Sequence, residues 1–187
     1  MTLKRWLFIT LAALLASVSC SAWSFPDQYD KEIKKAAQQY LPGVNWRLLK
    51  AQLYQESRLD PQAESPAGAE GIAQFMPATW KEVSRKIGRR EAAPQAVEPA
   101  VLASAYYMAT LRRSWYSRRS DVDRHSLAMA SYNAGLGNLV KAQRLSGMRV
   151  RYKEIVEYLP RVTGRHSEET VTYVERIWQY YAAMAFE

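Results

Sequence analysis

The amino-acid sequence predicts an all-α protein built as a single globular domain. Apolar residues recur at helical spacings of three and four along most of the chain, and the alternating patterns typical of strands are scarce. Proline and glycine interrupt the periodic segments at short intervals, which predicts short loops between helices. A chain of 187 residues is long enough for one compact core but short for two.

The first 22 residues are typical of a secretory signal peptide. Two basic residues precede an apolar run of 13 residues, at positions 6–18, and small and polar residues follow. This run is shorter than the ~20 residues that a membrane-spanning helix needs. We expect cleavage after Ala22, which leaves residues 23–187 as an exported, periplasmic domain without cysteine.

Two other fates of this segment are compatible with the sequence. Cys20 could be the lipidated first residue of an outer-membrane lipoprotein, although Ser17 occupies the position where such signals usually carry leucine. An uncleaved apolar segment would instead tether the protein to the membrane. We expect contact with a membrane only in these two cases.

The chain is basic, and this limits its partners. Its net charge is +8, of which +6 remains when the signal and its two basic residues are removed. Outside the cytoplasm, a positive field favours anionic polymers of the cell wall or envelope. We expect no nucleic-acid binding, because no binding motif accompanies the charge. We also expect no metal or other cofactor, since His125 and His166 lack ligand spacing.

The first half of the mature chain predicts three helices. The first covers residues 27–40 and stops at Pro42, after which Asn45 caps the second. A loop of small residues, 63–71, follows the second helix, and Pro77 is suited to the start of the third.

The second half predicts three more helices. Pro99 opens a long helix that runs through Leu111 and ends in a basic turn, and another helix covers residues 123–133. From Gly135 onward, glycines interrupt the helical periodicity of the apolar residues. The last helix begins near Ser167, and its apolar and aromatic residues mark one face at spacings of three and four.

The second helix carries a carboxylate in an unusual position. One of its faces contains four residues at steps of three, four and three, namely Trp46, Leu49, Leu53 and Glu56. Burial raises the pKa of a carboxyl group, so Glu56 on this apolar stripe would stay protonated and could donate a proton to a glycosidic oxygen. Spacing alone favours the alternative, a Glu56 that is exposed or paired with Arg58.

Three sequence blocks surround and follow this residue. The first joins Glu56-Ser57 to a small-residue loop and to Gly-Ala-Glu-Gly-Ile-Ala-Gln-Phe-Met-Pro-Ala-Thr at residues 68–79. The second is Ala-Ser-Tyr-Asn-Ala-Gly at residues 130–135, and the third is Glu-Thr-Val-Thr-Tyr-Val at residues 169–174. Together they closely resemble the soluble-type (SLT) catalytic domain of the lytic transglycosylase family. The blocks span most of the mature chain.

The resemblance implies a lysozyme-like fold of the goose-type or SLT kind. It also implies cleavage of the β-1,4 bond between N-acetylmuramic acid and N-acetylglucosamine in peptidoglycan. In the family, one glutamate protonates the departing oxygen while the substrate's acetamido group stabilises the anomeric carbon. The glutamate then deprotonates the muramoyl C6 hydroxyl, and a 1,6-anhydro ring closes without consuming water. The match assigns this role to Glu56.

The absence of an evident second carboxylate agrees with this chemistry. Ordinary glycosidases place two carboxylates on either side of the bond that they cleave. Asp60 and Glu64 are the acidic residues nearest to Glu56 in the sequence, and we expect both to be solvated.

The resemblance also assigns substrate contacts within the first two blocks. Ser65 and Gln74 would bind sugar amides and hydroxyls through hydrogen bonds. Phe75 and Met76 would form an apolar wall, and Tyr132 would hold the glutamate or the acetamido group through its hydroxyl. Core packing is the alternative role for these apolar and aromatic residues, and for Phe75 we favour it.

Four further positions either have a second interpretation or depart from the family's pattern. Asn133 is assigned to the site, but Asn-Ala-Gly also ends a helix by an ordinary cap. Glu169 is assigned to the cleft, in contact with sugar or stem peptide, but it is also a first-turn acid favoured by the helix dipole. Ile72-Ala73 replaces the Leu-Met that members often carry, which alters the packing of the pocket and leaves the acid in place.

Two alternative functions share these features. A goose-type lysozyme-like hydrolase would use the same fold and acid but activate a water. A non-catalytic wall-binding assembly protein would keep the fold as a scaffold, although it has no reason to retain Glu56. In each case we expect peptidoglycan glycan strands as the partner. A secretion or conjugation apparatus or a phage particle is a further possible partner.

Overall fold

In a computed structural model that describes residues 24–185, the chain is folded into α-helices joined by short loops. The all-α prediction is confirmed, since this part of the chain contains no strand beyond isolated bridge pairs. The predicted signal peptide and Cys20 lie outside the described residues. The helices are α1 Asp30–Tyr40, α2 Trp46–Ser57, α3 Pro77–Lys86, α4 Val97–Ser114, α5 Asp121–Ala134, α6 Leu136–Leu145, α7 Tyr152–Val156, α8 Pro160–Thr163 and α9 His166–Met184.

Local sequence sets both ends of α2. The Asn45 side chain accepts a hydrogen bond of 3.0 Å from the backbone nitrogen of Arg47, which is the predicted N-cap. After Ser57, Arg58 and Leu59 adopt left-handed conformations with φ of 59° and 65°, and these turn the chain out of the helix. The last turn of α2, which contains Glu56, is therefore followed at once by the loop of the first sequence block.

The segment after Gly135 is more helical than the sequence predicted. Gly135, with a φ of 86°, separates α5 from α6 but does not end helical structure, because α6 begins at the next residue. Helices α7 and α8 have only 5 and 4 residues. Such short helices show too little periodicity to be recognised in the sequence.

Helix α2 lies between α1 and α9 and packs most extensively against α9. Leu49 and Leu53 on α2 and Ile177 on α9 are almost fully buried in the same core. Burying each such side chain stabilises the fold by about 1.5–3 kcal/mol. This packing fixes the last turn of α2 against the middle of α9.

The loop between α2 and α3 is held by backbone hydrogen bonds. Glu70 and Phe75 exchange two of them, at 3.0 and 3.1 Å, and the Gly71 nitrogen donates to the Ala63 carbonyl at 2.8 Å. Gly71 has a φ of 75°, and a Cβ atom at this position would lie 2.1 Å from the Pro94 carbonyl oxygen. The loop is thus docked closely on the chain that leads into α4.

We expect Gly71→Ala to destabilise the protein by at least about 2 kcal/mol, because the methyl group meets both a strained φ and a backbone oxygen. Gly137→Ala is the matched control. Gly137 lies in α6 with open space at its Cβ position, so alanine should be neutral or stabilising by up to about 1 kcal/mol. Urea unfolding measures both changes, and equal effects of the two substitutions would contradict the close docking of the loop.

Candidate active site

Glu56 lies in the last turn of α2, where α9 crosses it. The Tyr173 hydroxyl on α9 donates a hydrogen bond of 2.5 Å to Glu56 Oε1. Tyr173 is only 5% exposed, whereas Glu56 remains partly exposed. The carboxyl group is therefore held from the core side and can be reached from the solvent side.

Burial raises the pKa of Glu56 to about 8, and the hydrogen bond from Tyr173 opposes part of this rise. The direction agrees with the expectation from the apolar stripe. Arg58 does not pair with Glu56, since its guanidinium donates to the Tyr180 hydroxyl at 2.8 Å and stacks on Tyr54. At neutral pH, Glu56 is a carboxylic acid that can donate its proton.

The loop that follows α2 is anchored near Glu56 by its backbone carbonyls. The Ser57 hydroxyl donates to the Ile72 carbonyl at 2.9 Å, and the Tyr132 hydroxyl donates to the Ala73 carbonyl at 2.8 Å. The side chains of Ile72 and Ala73 are themselves fully buried. These two hydrogen bonds join α2, the loop and α5 around the carboxyl group.

Tyr132 therefore has a different hydrogen-bond partner from the one that the sequence suggested for the glutamate. Its hydroxyl is bonded to a loop carbonyl, and the hydroxyl that contacts Glu56 belongs to Tyr173. Sequence reasoning missed Tyr173 as the partner of the acid. The sequence feature that could have identified Tyr173 is its position in the third sequence block, because helical spacing cannot show which residue of α9 contacts α2.

The two predicted polar contacts, Ser65 and Gln74, both lie in the loop. Ser65 Oγ accepts a hydrogen bond of 2.9 Å from the Ala69 nitrogen, which stabilises the turn. The Gln74 amide nitrogen donates to the carbonyls of Ala63 and Gly71, each at 3.0 Å. Gln74 also has a φ of 47°, a conformation that non-glycine residues adopt at some cost. Both side chains shape the loop and are partly exposed.

The predicted apolar wall divides into a buried and an exposed part. Phe75 is 2% exposed and packs against the rings of Trp80, Tyr107 and Tyr132, with centroid distances of 5.7 to 6.1 Å. It has the surroundings of a core residue. Met76 is 45% exposed, so its thioether side chain is available to a ligand.

Asn133 and Glu169 lie where α5 approaches α9. Asn133 Oδ1 accepts a hydrogen bond of 2.7 Å from Thr170 Oγ1, which joins the second sequence block to the third. Glu169 is exposed in the first turn of α9. The structure thus brings all three blocks together around α2, and it leaves the Glu169 carboxylate in solvent.

The other acidic residues near Glu56 in the sequence do not act on it. Asp60 and Glu64 are exposed, and Asp60 Oδ1 accepts a hydrogen bond from the nitrogen of Gln62. Among the described residues, no second carboxylate shifts the pKa of Glu56. Residues 24–185 also contain no cluster of three or more potential metal ligands and no helix long and apolar enough to span a membrane.

Comparison with known proteins identifies a family model and named relatives that this chain matches in sequence. The family model "Transglycosylase SLT domain" matches residues 31–155, which is more than half of the chain. Membrane-bound lytic murein transglycosylase F of Desulfosudis oleivorans is 32% identical over 164 residues, covering 80% of this chain and 34% of that protein. Membrane-bound lytic murein transglycosylase F of Thiobacillus denitrificans is 32% identical over 162 residues, covering 76% of this chain and 32% of that protein. This chain spans about a third of the length of these relatives.

Two solved structures have a similar fold. An inactive mutant of lytic transglycosylase Slt from Pseudomonas aeruginosa is 26% identical, with a TM-score of 0.67 over 84% of this chain and 24% of that chain. The 70 kDa soluble lytic transglycosylase of Escherichia coli is 23% identical, with a TM-score of 0.69; the match covers 87% of this chain and 25% of that chain. These matches confirm the fold predicted from the sequence blocks.

The raised pKa of Glu56 makes stability depend on pH. An unfolded glutamate ionises near pH 4.5, whereas the folded protein keeps Glu56 protonated up to about pH 8. The unfolded state therefore binds fewer protons in this interval, and Glu56 destabilises the fold increasingly as pH rises through it, by as much as about 5 kcal/mol. We expect Glu56→Gln to be progressively more stable than the wild type between these pH values.

Urea unfolding of both proteins from pH 4 to pH 9 measures this difference. Glu64→Gln serves as the control, because it removes one charge from an exposed glutamate. A stability difference between Glu56→Gln and the wild type that does not change with pH would contradict a protonated Glu56.

Proposed function

The chain belongs to the transglycosylase SLT domain family, and from this we propose that it is a peptidoglycan lytic transglycosylase. It cleaves the β-1,4 bond between N-acetylmuramic acid and N-acetylglucosamine and forms a 1,6-anhydromuramoyl product. The observation that carries the proposal is a single carboxyl group, Glu56, with a pKa of about 8 and a hydrogen bond from Tyr173. The relatives are named lytic murein transglycosylases, and murein is the substrate that their names state.

In the first step, protonated Glu56 donates its proton to the glycosidic oxygen. The bond between this oxygen and the muramoyl C1 breaks, and the N-acetylglucosamine fragment leaves with a free hydroxyl. The oxygen of the substrate's own acetamido group bonds to C1 and balances the positive charge. Glu56 is now a carboxylate, and the Tyr173 hydroxyl stabilises it through the hydrogen bond already present.

In the second step, the Glu56 carboxylate accepts the proton of the muramoyl C6 hydroxyl. The C6 oxygen bonds to C1 and displaces the acetamido oxygen, which closes the 1,6-anhydro ring. Glu56 is protonated again, and no water is consumed. One group acts first as acid and then as base, which suits a pKa near the ambient pH.

The remaining site residues have proposed roles around this centre. Met76 offers an exposed apolar surface to a sugar ring, and Phe75 supports it from the core. Ser65 and Gln74 present the loop and its polar groups to the substrate. Three residues on α5 and α9 complete the proposed set, namely Tyr132, Asn133 and Glu169.

We also propose that the protein is exported to the periplasm, with residues 1–22 as its signal peptide and residues 23–187 as its catalytic domain. The basic charge of the chain favours the anionic wall that the relatives act on. A lipid anchor on Cys20 is the alternative arrangement at the membrane. Opening the wall for a secretion or conjugation apparatus, or for a phage particle, is a role that this activity would serve.

Product analysis tests the proposal. We expect purified peptidoglycan incubated with the wild-type protein to yield fragments with anhydromuramoyl ends by mass spectrometry. Glu56→Gln should lower the rate by at least about 1,000-fold, because the amide can neither donate nor accept the proton. Asp60→Asn and Glu64→Gln should retain the rate within about twofold, since both residues are exposed.

Other outcomes identify the alternatives. Fragments with reducing ends only would show a goose-type lysozyme-like hydrolase. Binding to peptidoglycan without any cleavage would show a wall-binding assembly protein. A rate that Glu56→Gln leaves unchanged in a zymogram would exclude the mechanism described above.

A further inference from the structure

Helix α3 presents a charged stripe to solvent directly after the loop of the active site. Ala78 is followed at helical spacings by Lys81, Glu82 and Arg85, and all four side chains are exposed. The opposite face of α3 is buried in the core. Because α3 begins immediately after Met76, the exposed residue of the proposed apolar wall, the stripe is continuous with the proposed substrate contacts.

The turn after α3 brings a further cation to this stripe. The Arg89 nitrogen donates to the Ser84 carbonyl at 2.7 Å, and Trp80 Nε1 donates to the Ala92 carbonyl at 3.1 Å. These hydrogen bonds fold the turn back against α3. Arg90 and the stripe then line one groove of about 440 Å³, which we call the α3 groove, namely Ala78, Lys81, Glu82, Arg85 and Arg90.

The charges of the α3 groove are not balanced. It contains three cations and one carboxylate, and none of these cations forms an ion pair within residues 24–185. Lys81 and Arg85 lie four residues apart on one helix face, where like charges repel. The helix dipole favours Arg85 in the last turn, but it does not account for Lys81 one turn earlier or for Arg90 beyond the helix. An anionic ligand would relieve the repulsion.

We propose that the α3 groove binds the carboxylates of the stem peptide that the muramoyl residue of the substrate carries. The inference deepens the proposed function and rests on it, because a stem peptide reaches α3 only when its glycan strand lies in the site beside Glu56. Lys81, Arg85 and Arg90 then determine a preference for peptide-bearing strands.

The dimensions of the stripe suit a short peptide. From Ala78 to Arg85 the helix rises by about 10 Å at 1.5 Å per residue. An extended peptide covers this length with about three residues. A stem peptide that starts beside Met76 and runs along α3 therefore places its carboxylates in turn at Lys81 and at Arg85. A guanidinium group binds a carboxylate through two parallel hydrogen bonds, which suits both arginines of the groove.

The charge of the groove distinguishes the peptide from the sugar chain. N-acetylated sugar rings carry no net charge, so they give three unpaired cations no partner. On a peptide-bearing strand the carboxylates of the stem supply that partner. An anionic polymer without stem peptides would respond to every basic face of the protein, whereas a stem peptide held at the active site contacts only the face that adjoins it.

Replacing the three cations tests the proposal on two substrates, glycan strands with stem peptides and strands from which an amidase has removed them. We expect wild-type KM to be lower for the peptide-bearing strands. In Lys81→Gln/Arg85→Gln/Arg90→Gln, the ratio of KM for stripped strands to KM for peptide-bearing strands should fall by about 5- to 20-fold, the effect of losing exposed ion pairs. An unchanged ratio would overturn the proposal.

A second triple variant controls for net charge. Arg118, Lys141 and Arg144 are also exposed and form no ion pair among the described residues. Two of them lie on α6, which packs against α5, α7 and α8. Arg118→Gln/Lys141→Gln/Arg144→Gln removes the same charge and should keep the ratio within about twofold. Equal falls in both variants would show that only the net charge matters and would contradict a specific groove.

Two measurements separate binding by the groove from other effects. Both triple variants should unfold at nearly the wild-type urea concentration, because all six residues are exposed. Strands whose stem carboxylates have been converted to amides should bind to the wild type no better than stripped strands, within about twofold. Amidated stems that keep the full preference would exclude recognition of carboxylates.

The proposed function and the role of the groove fail separately. Reducing-end products, or full activity in Glu56→Gln, would remove the proposed function. Anhydro products from the wild type, together with an unchanged KM ratio in the α3 variant, would remove only the role of the groove. Adding Glu56→Gln to each protein gives the same ratio from Kd values, because strands then bind with almost no cleavage.

Discussion

The site depends on the burial of the Glu56 carboxyl group where α2 crosses α9. Partial burial keeps the group protonated at neutral pH, with a pKa of about 8, and the Tyr173 hydroxyl holds it in one orientation. Both conditions require α2 and α9 to be fixed relative to each other, which the shared core around Leu53 and Ile177 achieves. The core of this domain therefore sets the proton affinity of its acid.

The sequence blocks contain the residues whose hydrogen bonds close the site. Ser57 and Tyr132 both donate to loop carbonyls, those of Ile72 and Ala73. Because the bonds are made to the backbone, the side chains at these two positions can vary as long as they stay buried. This explains how the chain can carry Ile-Ala where family members often have Leu-Met and still form the loop.

Much of the fold and part of the site could be predicted from the sequence. Periodicity identified α2, and Asn45 marked its start, because both are local properties of the chain. Tyr173 and Tyr132 could not be assigned to their partners, since which hydroxyl reaches Glu56 depends on how α5 and α9 pack on α2.

A single group that acts as both acid and base faces opposite demands. Enzymes with two carboxylates can place each in a different environment, one favouring the proton and the other the charge. Glu56 has one environment, so the same surroundings must stabilise both forms in turn. Burial favours the acid, and the hydroxyl of Tyr173 favours the carboxylate.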